Sequence, residues 1–100
     1  MHMNEVRFDV ECISHLALAQ YMNHRDMTVR SLAAAVRDRL KRRTPRISCS
    51  PATIGHLRSG ARKNCRPEIA KAIEEALGAP AGSLFVPKLS TVSTVSRRAA

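Results

Sequence analysis

The stretch Cys49-Ser-Pro-Ala-Thr-Ile-Gly-His-Leu-Arg-Ser-Gly60 decides how this chain is organised. Ser50 is a favourable N-cap, and Pro51 suits the first helical position, where a missing N–H costs no intrahelical hydrogen bond. Ile54 and Leu57 lie three residues apart on one face, and Gly60 ends the helix. The stretch therefore predicts a short helix anchored by two aliphatic residues, with small, hydrogen-bonding or cationic side chains on its other faces. A helix of this kind fits the major groove of DNA.

A longer helix is predicted immediately upstream, with Thr28 as its N-cap. Its apolar stripe recurs at helical spacing and consists of Leu32, Ala33, Val36 and Leu40. Its outward positions are cationic, namely Arg30, Arg37, Arg39 and Lys41. The pattern continues to about Arg43, where Thr44-Pro45 ends it because a residue before proline is disfavoured in the helical region.

The N-terminal part of the chain predicts a strand and then a helix. The alternation of Val6, Phe8, Val10 and Cys12 with charged residues has the period of a short, half-buried strand. From Ile13 the spacing becomes helical, and the apolar and neutral positions are Ile13, Leu16, Ala17, Gln20 and Tyr21. We expect this first amphipathic helix to end between residues 23 and 26.

A fourth helix is predicted from Pro67, with Glu68 near the positive end of its dipole. Its apolar positions, Ile69, Ala70, Ile73 and Leu77, lead to a stop at Gly78. Residues 79–85 predict one further short turn or helix, in which Leu84 and Phe85 close the core before Pro87. The expected organisation is an N-terminal segment at residues 1–12, an all-α domain of four to five helices at 13–87, and a mobile C-terminal tail at 88–100.

The positive charge of the chain is concentrated in one segment. Lys and Arg number 17 against 8 Asp and Glu, which favours a polyanionic partner such as nucleic acid. Residues 37–66 hold ten of the basic residues and a single acid, Asp38, whereas the rest of the chain is neutral. All of the net charge therefore falls around the short helix. Aromatic residues make up only 3% of the chain, which disfavours base stacking on an aromatic platform.

Neither a metal site nor a catalytic site is predicted. The three cysteines, Cys12, Cys49 and Cys65, lack paired metal-ligand spacing, and we expect them to be small core residues of a protein of the reducing cytoplasm. The acids are scattered, and Glu74 and Glu75 point to different sides of a helix. No phosphate-binding loop, activated nucleophile or membrane-spanning run is present in the sequence. We therefore expect no enzyme activity, no cofactor and no membrane association.

Several elements agree in order and spacing with a known family. Leu32-Ala33 in one helix, then Ser50-x-x-x-Ile54-x-x-Leu57-x-x-Gly60 and the two closing helical segments, resemble the lambda-repressor-like (Xre or Cro type) helix-turn-helix family over residues 13–85. Residues 53–63 and 84–87 look most like small regulators of actinobacteria and their phages. The resemblance implies a transcriptional regulator, repressor-like or Cro-like, that occupies an operator in double-stranded DNA.

The resemblance also implies roles for individual residues. The outward side chains of the recognition helix, Ala52, Thr53 and His56, are expected to read bases. Ser50 and the later cations Arg58, Arg62 and Lys63 are expected to bind the DNA backbone. The family often has a phosphate-binding Gln at the position of Val29, so Thr28 or Arg30 is expected to replace that contact.

The chain departs from the family between the two motif helices. A turn of three to four residues is usual there, but thirteen residues separate Val36 from Ser50. We interpret them as an extension of the first motif helix followed by a Thr44-Pro45 loop. Their cations, Lys41, Arg42, Arg43 and Arg46, are assigned by hypothesis to the DNA backbone.

Alternatives to a DNA-binding regulator remain open at this point. A structured-RNA binder would use the same charge with little dependence on Thr53 and His56. A protein-interaction module, such as an antitoxin-type regulator, would use the apolar tail. One recognition helix reads a half-site, which favours a homodimer with residues 6–12 and 86–95 as candidate interface segments. The alternative is a monomer that gains affinity from its basic insertion.

Overall fold

The computed structural model describes residues 9–87. In chain order its elements are β1 (Val10–Cys12), α1 (His15–His24), α2 (Val29–Arg43), α3 (Pro51–Ser59), β2 (Asn64–Cys65), α4 (Pro67–Leu77) and β3 (Phe85–Pro87). The described part of the protein is thus mostly helical, with four helices and a short three-stranded sheet. None of these helices combines the length and apolar character that crossing a membrane requires.

The sheet corrects the expectation of an all-α fold. Its order is β2-β1-β3 with both pairs antiparallel, so that Val10 lies opposite Cys65 on one side and Pro87 on the other. Of the two alternatives expected for residues 79–85, the structure contains the turn and not the helix, and β3 follows it. The two strands that pair with β1 could not be predicted from the sequence. A two-residue strand such as β2 is too short to show alternation, and β3 contains a proline, which only an edge strand accommodates.

The predicted strand is confirmed for its described part, which includes Val10 and Cys12. Both side chains are buried in the core. Because β1 pairs with a strand on each side, its backbone has no free edge for a second chain. The described part of the candidate dimer segment 6–12 is therefore used within the fold. Val6, Phe8 and the tail 88–100 lie outside the described residues.

The packing of α2 and α3 follows the predicted stripes. Leu32, Ala33 and Val36 of α2 are completely buried, as are Ile54 and Leu57 of α3. Leu40 and Ile73 complete the same core. The extension of α2 is confirmed as helix to Arg43, and residues 44–50 connect it to α3, where Ile47 packs on the edge of the core.

The first helix forms, but its buried face differs from the predicted one. Leu18 and Met22 are buried, whereas Ile13 is 54% and Leu16 is 67% exposed. The reason is that Ile13 does not belong to the helix: its N–H donates to the carbonyl of Leu84, which continues the β1–β3 pairing. The helix starts only after Ser14, whose hydroxyl accepts a hydrogen bond from the N–H of Ala17.

Glu74 is a buried structural acid that the sequence pattern did not reveal. Its side chain is turned into the protein, with the residue only 6% exposed. The carboxylate accepts hydrogen bonds from the N–H groups of Gly82, Leu84 and Phe85, each at 3.1 Å. Glu74 therefore fixes the turn that leads into β3 and, through β3, the sheet.

Candidate nucleic-acid interface

The recognition-helix candidate α3 is built as its sequence predicts. The Ser50 hydroxyl accepts from the N–H of Thr53, and Pro51 occupies the first turn. Gly60 ends the helix in the left-handed region with φ of 88°, and its N–H donates to the His56 carbonyl. Since Ile54 and Leu57 hold the inner face, the opposite face of α3 lies at the protein surface.

The three predicted base-reading residues have different surroundings. Ala52 and His56 are exposed and share the outer face of α3, one turn apart. Thr53 is half-buried, and its hydroxyl lies 3.3 Å from the Ser50 hydroxyl at the helix start. Ser59 continues the outer face but is occupied locally, because its hydroxyl donates to the His56 carbonyl and accepts from the N–H of Ala61.

The N-terminal end of α2 lies against the middle of α3. A Cβ placed on Gly55 would be 4.0 Å from Cγ1 of Val29, so the two helices approach closely at this point. Val29 is half-buried and packs against the core, which makes it a packing residue. The adjacent Thr28 forms a reciprocal cap with Ser31: its hydroxyl accepts from the Ser31 N–H, and the Ser31 hydroxyl accepts from the Thr28 N–H.

Three of the cations of α2 are paired with carboxylates. Arg39 and Arg43 both contact Glu75 of α4, with Arg39 Nε 3.7 Å from the carboxylate and Arg43 hydrogen bonded to it. The hydrogen bond from Arg43 holds the pKa of the Glu75 carboxyl below its usual range. Arg42 lies 3.7 Å from Asp38 on the same helix. Of the residues assigned to DNA by hypothesis, Arg42 and Arg43 are thus the two with acidic neighbours.

The other cations of α2 form a row, of which sequence reasoning assigned Arg30 and Lys41, but not Arg37, to the DNA backbone. Arg30, Arg37 and Lys41 are exposed and follow one another at spacings of seven and four, which places them on one face. Within residues 9–87, none of the three has an ion pair with a carboxylate. We call this set the α2 row. Its regular spacing was the signal in the sequence that could have added Arg37 to the predicted site.

The α2 row lies on the side of α2 that borders α3. Val29, which precedes the row, contacts α3, whereas Arg39 and Arg43 mark the side that faces α4. Burial raises the pKa of the Cys49 thiol, and the charges of Arg37 and Arg62 oppose that rise. Both arginines therefore lie near Cys49, the residue just before the N-cap of α3.

The remaining predicted backbone cations lie around the two ends of α3. Arg46, Arg58, Arg62 and Lys63 are all exposed. Arg62 and Lys63 line an open groove of about 270 Å³ together with Ile13 and Leu16. Arg62 is oriented by donation from its Nε to the Asn64 carbonyl at 3.2 Å.

The three cysteines are free and buried, as expected for core residues. Burial raises the pKa of all three thiols, and that of Cys65 reaches about 12, with Cys12 and Cys49 adding to the rise. Among residues 9–87, no three His, Cys, Asp or Glu side chains are arranged to hold a metal ion. The thiols are therefore protonated packing groups at neutral pH.

Comparisons of the chain with protein-family models, with curated proteins and with solved structures give no match. The support for a function comes from the residues and their arrangement around α3.

Proposed function

We propose that this chain binds double-stranded DNA in a sequence-dependent manner and regulates transcription by occupying an operator, as a repressor-like or Cro-like protein of the helix-turn-helix type. The observation that carries the proposal is the setting of α3. It is capped at both ends, fixed by two completely buried residues and bordered by cations that have no ion pair within residues 9–87. A B-form major groove is wide enough to admit one α-helix. The proposal implies a cytoplasmic location and, since one helix reads one half-site, a homodimer on a two-fold operator.

In this proposal the side chains divide into two tasks. Ala52 and His56 reach base edges from the outer face of α3, and Thr53 contacts the base or phosphate nearest the helix start. The backbone is held by groups on both sides of α3: Thr28 and Arg30 from α2, Ser50 at the N-cap, and Lys41, Arg46, Arg58, Arg62 and Lys63 from the surrounding surface. Arg42 and Arg43 contribute less than was assigned from sequence, because a neighbouring carboxylate offsets each charge.

A binding selection from random duplexes, made with the purified protein at physiological salt, tests the proposal. We expect enrichment of a defined sequence. His56→Ala should then lose about 1–3 kcal/mol on that sequence and little on random duplex, because only the former uses a base contact. His24→Ala is the matched control, since His24 is also exposed but lies at the end of α1. Failure to enrich any sequence, or equal losses on both duplexes, contradicts the proposal.

A second candidate function is a protein-interaction module. It is favoured by Ile13 and Leu16, which are exposed beside the groove next to α3. Such a module would retain a partner through purification, and the neutral substitution Leu16→Ser would release it without changing DNA binding. A duplex-RNA binder is less favoured, because the major groove of A-form RNA is too narrow for α3. Competition between DNA and RNA duplexes of the same sequence separates these functions.

A further inference from the structure

The cations of α2 differ in their surroundings according to the side of the helix that they occupy. On the side facing α4, Arg39 and Arg43 share the carboxylate of Glu75. On the side bordering α3, the α2 row has no carboxylate partner within residues 9–87. Like charges four residues apart on one helix face repel each other by a few tenths of a kcal/mol. The row is therefore not a stabilising feature of the isolated helix.

We propose that the α2 row, Arg30, Arg37 and Lys41, binds phosphates of the duplex beside the groove that receives α3. This inference rests on the proposed function and changes its backbone contacts: Arg37 joins them, and Arg43 leaves them. At 1.5 Å per residue the row is about 16 Å long, which exceeds the roughly 12 Å width of the major groove. A row of that length, lying beside α3, meets several phosphates of the groove wall at once.

The position of the row relative to α3 supports phosphates as its ligand. The row starts beside the contact of Val29 with Gly55, and Arg37 lies near Cys49, just before the α3 N-cap. DNA that accepts α3 must therefore bring its backbone close to these side chains. Because phosphates carry no sequence information, the row should contribute equally on specific and random duplexes.

The first test compares two triple-alanine variants that remove the same charge. The α2-row variant replaces Arg30, Arg37 and Lys41. The control replaces Arg25, Arg66 and Lys71, which are exposed and have no assigned DNA contact; Arg66 and Lys71 lie near Glu68 and Glu75, respectively. Alanine is the best helix former, so both variants should keep the helical circular dichroism of the wild type.

The measurement is the duplex binding constant between 50 and 200 mM salt. Each phosphate contact contributes about 0.9 to the slope of log K against log salt. The α2-row variant should therefore lose about 2.7 units of slope. Over this fourfold range of salt, the fall in its binding constant should be about 40 times smaller than the fall for the wild type. The control should lose less than one unit. Equal changes in the two variants, or a loss confined to the selected sequence, would overturn the inference.

A second variant tests the row without removing its cations. Ala34 is exposed and lies four residues after Arg30 and three before Arg37, so Ala34→Glu places a carboxylate beside both. We expect this variant to lose about one unit of salt slope, whereas Ala81→Glu in an exposed turn should leave the slope unchanged. If the wild type binds duplex DNA and Ala34→Glu matches Ala81→Glu, the inference alone fails. If the wild type binds no duplex, the proposed function fails.

Discussion

Glu74 makes the most informative stability test, because its buried carboxylate fixes the turn that connects α4 to β3. In Glu74→Ala the N–H groups of Leu84 and Phe85, both buried, lose their acceptor. Each buried donor left without a partner costs about 1–3 kcal/mol. Gly82 is exposed, so water replaces its hydrogen bond at little cost. The free energy of unfolding should therefore fall by about 3–4 kcal/mol, a large part of the 5–15 kcal/mol typical of a domain.

Glu74→Gln separates the charge from the shape of the side chain. Its amide oxygen can still accept from Leu84 and Phe85, but the amide nitrogen then faces the N–H of Gly82. We expect about half the loss of the alanine variant, since charge-assisted hydrogen bonds are roughly twice as strong as neutral ones. Urea denaturation followed by circular dichroism measures both variants, and amide hydrogen exchange should show faster opening at residues 84 and 85.

The matched control is Glu75→Gln, which changes the adjacent carboxyl in the same way. Glu75 is exposed and contacts only flexible arginine side chains, so it should cost less than 1 kcal/mol. A Glu74→Ala variant within 1 kcal/mol of the wild type, or equal effects of the two glutamine variants, would show that the hydrogen bonds of Glu74 do not support the turn.

Three further predictions concern other parts of the fold. The pKa of Glu75 is lowered, so its contribution to the free energy of unfolding is complete above its ordinary pKa of 4.5 and is lost as the pH falls below that value. Glu75→Gln should therefore reduce the dependence of stability on pH below 4.5, and an unchanged dependence contradicts this prediction. Gly60→Ala adds positive-φ strain and places Cβ 2.9 Å from the His15 ring, whereas Gly82→Ala, also at positive φ, meets nothing within 4 Å. Calorimetry should show that the free energy of unfolding falls by about 1–2 kcal/mol in Gly60→Ala and by less in Gly82→Ala. The reverse order would refute the close approach of His15 to Gly60. The Cys65 thiol, with a pKa of about 12, should react with a disulfide reagent at pH 8 only as the protein unfolds, so rapid labelling of the folded protein refutes its burial.

The features that depend on local sequence could be predicted. The caps at Ser50 and Gly60 are properties of a few neighbouring residues, and the structure contains both. The stripe of Leu32, Val36 and Leu40 follows from helical period alone, because α2 is long enough for the period to be unambiguous. The end of α2 at Arg43 also follows from local sequence, because Thr44 precedes a proline and is therefore disfavoured in the helical region.

The features that depend on distant partners could not be predicted. Ile13 has the right spacing for a helix, but its hydrogen bond to Leu84 assigns it to the end of the sheet. Glu74 has the sequence context of a surface acid, and only the turn eight to eleven residues later makes it a buried acceptor. Arg43 belongs to a uniformly basic run, yet its acceptor, Glu75, lies 32 residues away. In each case tertiary packing chose among several local possibilities.

In the described part of the chain, the same packing leaves the unpaired positive charge of α2 on one side of the helix. A basic run on an isolated helix would present cations on every side, and its field would select no particular face. Glu75 reduces the field on the α4 side, and Asp38 reduces it beside Arg42. Within α2, the cations that have no carboxylate partner among residues 9–87 are those of the α2 row, next to α3. In the proposed function, an approaching polyanion would therefore be attracted toward the face that holds the recognition-helix candidate, so that electrostatic steering and groove insertion would act on the same surface.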